Sequence, residues 1–161
     1  MDPLAREYPV APRLAVGAAI WRDGRVLLAR RGHQPNLGLW SLPGGLVELG
    51  ETLREAIVRE IQEECHIEIQ PLDVVEVVDL IRRDEAGRVR THYVVVDFCA
   101  VHRSGEPRAA SDVSEVRWVE PASVAGYGVS EAVRRVVERS RAQLDRSRVS
   151  GPESRVNENG G

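Results

Sequence analysis

The 161-residue chain predicts an α+β domain, and three features of its sequence carry that prediction. Two pairs of β-compatible runs, each folded about a turn signal, predict antiparallel hairpins. A helix with its own start signal lies between them. A second amphipathic helix follows the last strand-like run. The length suits a single domain, since domains commonly run about 100–150 residues.

Residues 1–12 hold three prolines and no period, and are expected to form a flexible lead-in to a domain over 13–144. The run 13–21 is mostly apolar. Asp23-Gly24 turns it into 25–31, completing the first hairpin. Residues 32–38 form a polar loop with Pro35 and Asn36, and 40–46 contain Pro43-Gly44-Gly45, where the backbone can approach a ligand closely. Over 52–65, Thr52 with Glu55 three residues on forms a capping box, and Leu53, Ala56, Ile57 and Ile61 recur at helical spacing. The Val- and Ile-rich runs 73–83 and 89–101, joined by Asp84-Glu85-Ala86-Gly87, predict a longer second hairpin. One more strand is expected at 115–119. The second helix is expected at 130–144, with Ala132, Val133, Val136, Val137 and Leu144 on one side. Residues 145–161 are polar, with Gly-Pro and a Gly-Gly end, and are expected to be disordered.

All 22 basic side chains are Arg, and the chain has no Lys. Schiff-base chemistry is therefore excluded, as is a P-loop that needs its Lys. Any phosphate must be gripped by Arg, by backbone N–H groups or by a metal. A net charge of −3 and only seven aromatic residues argue against a nucleic-acid polymer as partner. Two cysteines, Cys65 and Cys99, suit a reducing compartment, and no apolar run approaches the ~20 residues of a membrane span. The opening residues lack the apolar core of a signal peptide, so a cytoplasmic location is expected.

The first helix breaks its own pattern. At about 100° per residue, Glu60 and Glu64 fall inside the apolar stripe, one turn apart, with Glu63 at its edge. Bare carboxylates are costly to bury. Three readings answer this: a solvated helix end, pairing with Arg59, or a hard divalent cation such as Mg²⁺, which takes one or two carboxylates plus substrate phosphates.

The segment from Gly45 to Ile67, GLVELGETLREAIVREIQEECHI, resembles the Nudix box, G-x5-E-x7-R-E-U-x-E-E-x-G-U with U apolar. Gly45, Glu51, Arg59, Glu60, Glu63 and Glu64 match its fixed positions, and Ile61 and Ile67 its apolar ones. His66 stands where the family has Gly, at a helix end that requires φ > 0; His tolerates that conformation better than most residues. The run 16–31, the approach Trp40-Ser41-Leu42-Pro43-Gly44-Gly45 and the stretch 111–118 also resemble the family, so the likeness covers about residues 13–143.

The resemblance implies the Nudix fold, a mixed β-sheet sandwiched between α-helices. It also implies hydrolysis of a nucleoside diphosphate linked to a further group, with Mg²⁺ or Mn²⁺ bound. It makes Glu60 and Glu64 metal ligands, and Glu63 a further ligand or the residue that orients water. It has Arg59 pair with Glu51 and hold the loop, and Gly45 leave its backbone free for metal or phosphate. Asp112, six residues before Trp118, suits a late acidic residue that binds metal or acts as base, with Glu115 its competitor. Gly44, Arg30 and Arg31 are the first candidates for substrate contacts, followed by Arg25, Arg82 and Arg90.

Substrate is less legible. Leu46-Val47-Glu48 departs from the pattern of members that sanitise oxidised nucleotides, and the coenzyme A and NADH signatures are absent. The stretch GLWSLPGGLVELGE is most similar to small bacterial members described as ADP-ribose pyrophosphatases. ADP-ribose or a related nucleotide sugar ranks first, a (d)NTP second and a non-catalytic nucleotide sensor third. A homodimer through the Val-rich stretch 74–81 follows by fold analogy alone.

Overall fold

The computed structural model describes residues 5–149. An antiparallel hairpin, β1 (Arg13–Arg22) with β2 (Arg25–Arg31), starts the sheet, and the short β3 (Trp40–Ser41) and β4 (Gly44–Leu46) then add to β2 and β1 respectively. Helix α1 (Leu53–Cys65) follows, then the long hairpin β5 (Glu68–Arg83) and β6 (Val89–Ser104). Strand β7 (Val113–Val119), a 3₁₀ segment (Pro121–Tyr127) and α2 (Glu131–Val149) complete the chain. The sheet runs β3-β2-β1-β6-β5, with β4 added to β1 and β7 to β2. It is mixed because β1 and β6 run parallel while the other pairs are antiparallel.

Alternation along β1 sorts the core onto two faces. Val16, Ala18 and Ile20 join Phe98 and the α1 residues Ala56, Ile57, Ile61 and Cys65. Ala19 and Trp21 join Cys99 and the α2 residues Val136, Val137 and Leu144. Burying each larger aliphatic chain contributes roughly 1.5–3 kcal/mol, so both helices are fixed to the sheet by packing rather than by intrinsic propensity. The expected sandwich of helices about a mixed sheet is thus present. Both cysteines are buried, and burial raises Cys65 to about 12 and Cys99 to about 11.

α1 begins as its sequence dictates. The Thr52 hydroxyl accepts from Glu55 N–H while the Glu55 carboxylate accepts from Thr52 N–H. It ends on His66 at φ 56°, in the left-handed region expected from the family's glycine.

Several boundaries differ from expectation. β5 starts at Glu68, where register shifts against β6 let a strand continue through Pro71. The polar Arg-rich end of α2 stays helical to Val149, because Arg, Gln and Leu are good helix formers. The expected domain end at 144 therefore falls inside a helix, and residues 150–161 of the expected tail lie outside the described residues. The lead-in is not loose where it is described. Tyr8 N–H donates to the Arg90 carbonyl at 2.8 Å, Tyr8 Oη to Asp84 at 3.0 Å, and Glu7 pairs with Arg90 at 2.7 Å. This lays the segment along the β5–β6 hairpin. No helix among the described residues is long and apolar enough to cross a membrane.

Candidate active site

On the edge away from β6, β1 has two different partners along its length. Its C-terminal end pairs with β2, while Ala15–Gly17 pairs with β4 through Leu46, Gly45 and Gly44. A cavity of about 450 Å³ opens beside this seam. It is lined by Gly44, Gly45, Glu60, Glu64, Arg31 and Asp112, and by Asp97 and apolar residues of β5, β6 and α2.

The glycines are there for space. A Cβ on Gly44 would overlap the Val16 carbonyl, and one on Gly45 would overlap the Glu60 carboxylate. Gly44 N–H donates to Glu64 Oε2 at 3.1 Å, so the loop reaches the helix through its backbone.

Arg59 organises the loop that precedes α1. Its fork donates to both Glu51 oxygens at 2.7 and 2.8 Å, the bidentate geometry that favours Arg over Lys. It also donates to Leu46 O at 3.0 Å, Glu60 Oε1 at 2.9 Å and Glu63 Oε2 at 3.2 Å. The Arg59 hydrogen bond holds the Glu51 carboxyl down at about 2, with the Glu48 N–H contact adding. Glu51 in turn raises Arg59, so this pair is charged at all ordinary pH.

The other end of α1 positions Asp112. The Glu64 and Cys65 carbonyls, orphaned at the helix end, accept from Ala110 N–H and Arg108 N–H, both at 2.9 Å. Gly32 N–H donates to the Asp112 carbonyl at 2.8 Å. The loop is thereby pinned between α1 and β2, and Asp112 lines the cavity with Glu64 and Arg31. His33 stands 3.6 Å from Asp112.

Glu64 is only 7% exposed, and burial pushes its carboxyl up to about 7. The Gly44 N–H opposes that rise, Glu60 and Asp112 add to it, and Arg31 opposes it. Glu60 is raised too, by burial first, against the pull of Arg59. Glu63 is exposed, turns to Arg59 and does not line the cavity. Among the described residues no three His, Cys, Asp or Glu side chains converge into a ready metal cage. Glu60 and Glu64 nevertheless fit a divalent cation. They are neighbouring, buried, hard-oxygen donors whose mutual repulsion a cation relieves, and two carboxylates suffice when substrate phosphates complete the shell.

The arginine candidates separate by degree: Arg31 lines the main cavity, while Arg30 lines a smaller adjoining one of about 120 Å³, shared with Arg31, Gly44, Glu64 and Asp112. The β2–β7 register shifts between Arg30 and Arg31, a bulge that gives the two side chains different surroundings. Arg31 lines the cavity, and its Nε is buried with no hydrogen-bond partner. Arg30 donates to Gly38 O at 3.2 Å and stands 3.8 Å from Glu115. Arg25 pairs with Glu120 and Arg90 with Glu7, and neither these nor Arg82 line the cavity. Glu115, the competitor of Asp112, is engaged by Arg117 and lies outside it.

Two cavity residues escaped the sequence reading. Asp97 interrupts an apolar strand, a signal that was visible but had no motif attached. Arg6 reaches the cavity only because the lead-in docks on the hairpin, and nothing local foretells that.

The comparisons with known proteins agree with this architecture. Residues 11–139 match the NUDIX domain model. The chain is 35% identical over 109 residues to the ADP-ribose pyrophosphatase of Methanocaldococcus jannaschii, covering 68% of this chain and 62% of that protein, which is thus under two thirds of the relative's length. It is 37% identical to the CTP pyrophosphohydrolase of Escherichia coli, covering 73% and 82%. Among solved structures, the MutT NUDIX hydrolase of Burkholderia pseudomallei superposes with a TM-score of 0.70 at 35% identity, covering 80% of this chain and 98% of that one. The NUDIX domain of Shewanella oneidensis NrtR, solved with ADP ribose, gives 0.65 at 27% identity, covering 83% and 89%. The box residues, the sandwich and these likenesses converge: the chain belongs to the NUDIX family.

Proposed function

We propose that this enzyme hydrolyses the pyrophosphate bond of ADP-ribose or a related nucleoside diphosphate sugar, with Mg²⁺ bound and Mn²⁺ as a substitute. The observation that carries the reading is one cavity lined by Glu60 and Glu64, the Gly44-Gly45 backbone and an Arg31 Nε without a partner. Anionic oxygen donors and an unsatisfied cationic donor in one cleft suit a substrate that brings both phosphate charge and a counter-cation.

Glu60 and Glu64 would hold the cation, with Glu63 at the rim close enough in sequence to act as a further ligand or to orient water. The bound metal supplies charge stabilisation to the phosphates and acidifies a coordinated water. Arg31 grips a phosphate oxygen, and the Gly44 and Gly45 backbone lets the phosphates lie close. Arg30 holds the 32–38 loop through Gly38 and contributes at most long-range charge. Asp112, beside Glu64, takes the proton as water attacks phosphorus and the bridging P–O bond breaks. Arg59 and Glu51 keep the loop and Glu60 in place without touching substrate. The products from ADP-ribose are AMP and ribose 5-phosphate.

A nucleotide panel assayed with Mg²⁺ and with chelator tests this. AMP released from ADP-ribose, lost on chelation, supports it. Pyrophosphate released from a (d)NTP would move the assignment to the second reading, which the similarity to the E. coli CTP pyrophosphohydrolase favours. Tight binding without turnover would make the domain a sensor. Self-association fits the exposed Val77 and Ile81 on β5, and sedimentation at rising concentration checks it.

A further inference from the structure

The cleft holds a further carboxylate that the hydrolytic machinery does not use, one strand beyond Gly17 from the Gly44 backbone. Asp97 lies in β6, in register with Gly17 of β1 on one side and Glu76 of β5 on the other. It is 8% exposed, lines the cavity, and has no hydrogen-bond or ion-pair partner among the described residues. Space for it exists only because Gly17 has no side chain: a Cβ there would overlap Asp97 Oδ1. Its flank offers no counter-charge. Glu76 accepts from Arg135 at 2.8 and 3.0 Å and stands 3.5 Å from Arg139, so the cations of α2 are committed to Glu76. Arg31 and Arg6 line the same cavity, and neither is within ion-pair distance of Asp97. Burial, with Glu76 adding, pushes the Asp97 carboxyl up to about 6, so near neutral pH it is mostly ionised and can only accept hydrogen bonds.

A buried, unpaired acceptor costs stability and is retained where a ligand completes it. The surrounding wall of Val78, Leu80, Tyr93, Val95 and Val133 is apolar and includes an aromatic ring. A flat, hydrophobic group carrying N–H donors on one edge suits that combination; a sugar, with hydroxyls on every side, does not. We propose that Asp97 reads the nucleobase: its carboxylate accepts an N–H from the amino-bearing edge of a base lying against this apolar wall. The proposal rests on the nucleotide-substrate reading above and adds the selection of amine-bearing bases over their carbonyl counterparts, whose ring N–H lies beside a carbonyl oxygen that the carboxylate at the exocyclic position repels. It makes Asp97 a specificity residue, since it touches the base and takes no part in the hydrolysis.

The test compares metal-free binding of AMP with IMP, and of CMP with UMP, to the full chain by calorimetry. Within each pair an exocyclic amine is replaced by a carbonyl. The amine member should bind about ten- to a hundredfold tighter, the worth of one hydrogen bond to a charged group. Asp97→Asn, which presents both a donor and an acceptor, should bring each ratio close to one. Asp97→Ala should do the same, and stands in if the Asn variant does not fold. Equal affinities in the wild type, ratios unchanged in the variants, or no binding of any of the four would overturn the proposal. So would a loss that tracks the 2′-hydroxyl, seen with dAMP in place of AMP, because the carboxylate would then face ribose. Hydrolysis is read separately. Base discrimination without turnover sinks the hydrolase reading alone, and turnover without discrimination sinks this inference alone.

Discussion

Glu51 and Asp97 are both carboxylates on the rigid frame of one cleft, and their environments are opposites. Glu51 meets the full fork of Arg59 and is held at about 2; Asp97 meets Gly17, Glu76 and apolar side chains and stands at about 6. Glu64 resembles Asp97 more than its own helix neighbours, with burial pushing it to about 7. The difference teaches how to read acidic residues here. Glu51, given wholly to the Arg59 fork, builds the loop; Glu60 does both, bonded to Arg59 while lining the cavity; Glu64 and Asp97 line the cavity with no cation at hydrogen-bond distance.

The sharpest way to break this contrast is at Glu64. Glu64→Gln should lower kcat by on the order of 10³-fold while circular dichroism and melting show an intact fold, because a neutral amide can still accept from Gly44 N–H. Wild-type turnover in that variant would place the chemistry elsewhere. Next is Arg31→Gln, expected to lower kcat/KM by roughly 10–100-fold, as loss of one charged phosphate contact should. Asp97→Asn probes the unpaired class through stability. The carboxyl's folded value lies above its ordinary 3.8, so the stability it confers is present below about pH 4 and is lost as pH rises through about 6. Asn removes that dependence, so above pH 7 the variant should be more stable than wild type by about 3 kcal/mol, the difference closing towards pH 4. Urea melts at pH 4 and pH 8 measure this, and a variant less stable at pH 8 would show that Asp97 has a stabilising partner. The smallest effect belongs to Arg30→Gln. With its guanidinium tied to Gly38 and near Glu115, kcat/KM should stay within about twofold of wild type; a loss matching that of Arg31→Gln would erase the distinction made by the bulge.

Legibility followed distance along the chain. The α1 cap, its apolar stripe and the misplaced Glu60 and Glu64 lie within fifteen residues, so their pattern could be read directly. The Gly45 role and the Arg59–Glu51 pairing came with the family resemblance, and the geometry has the pair in fork contact. What stayed hidden depends on register between remote strands. Asp97 matters because Gly17 and Glu76 flank it across two strand pairings, and no local pattern encodes that. Arg30 and Arg31 are adjacent and chemically equal, so only the bulge against β7 separates them. Arg25 and Arg90 were plausible phosphate contacts in a chain without Lys, but tertiary placement commits each to a surface carboxylate. The 3₁₀ segment Pro121–Tyr127 also went unread, because short 3₁₀ turns lack an apolar period of their own.

The fit of Asp97 against bare Gly17 has a consequence for how this sequence can change. A side chain at position 17 forces the Asp97 carboxylate out of its present rotamer, because both would occupy one volume. If Asp97 shrinks first, position 17 can grow without that displacement. The two sites are therefore coupled in sequence space, and the order of substitutions decides whether the carboxylate is moved or removed.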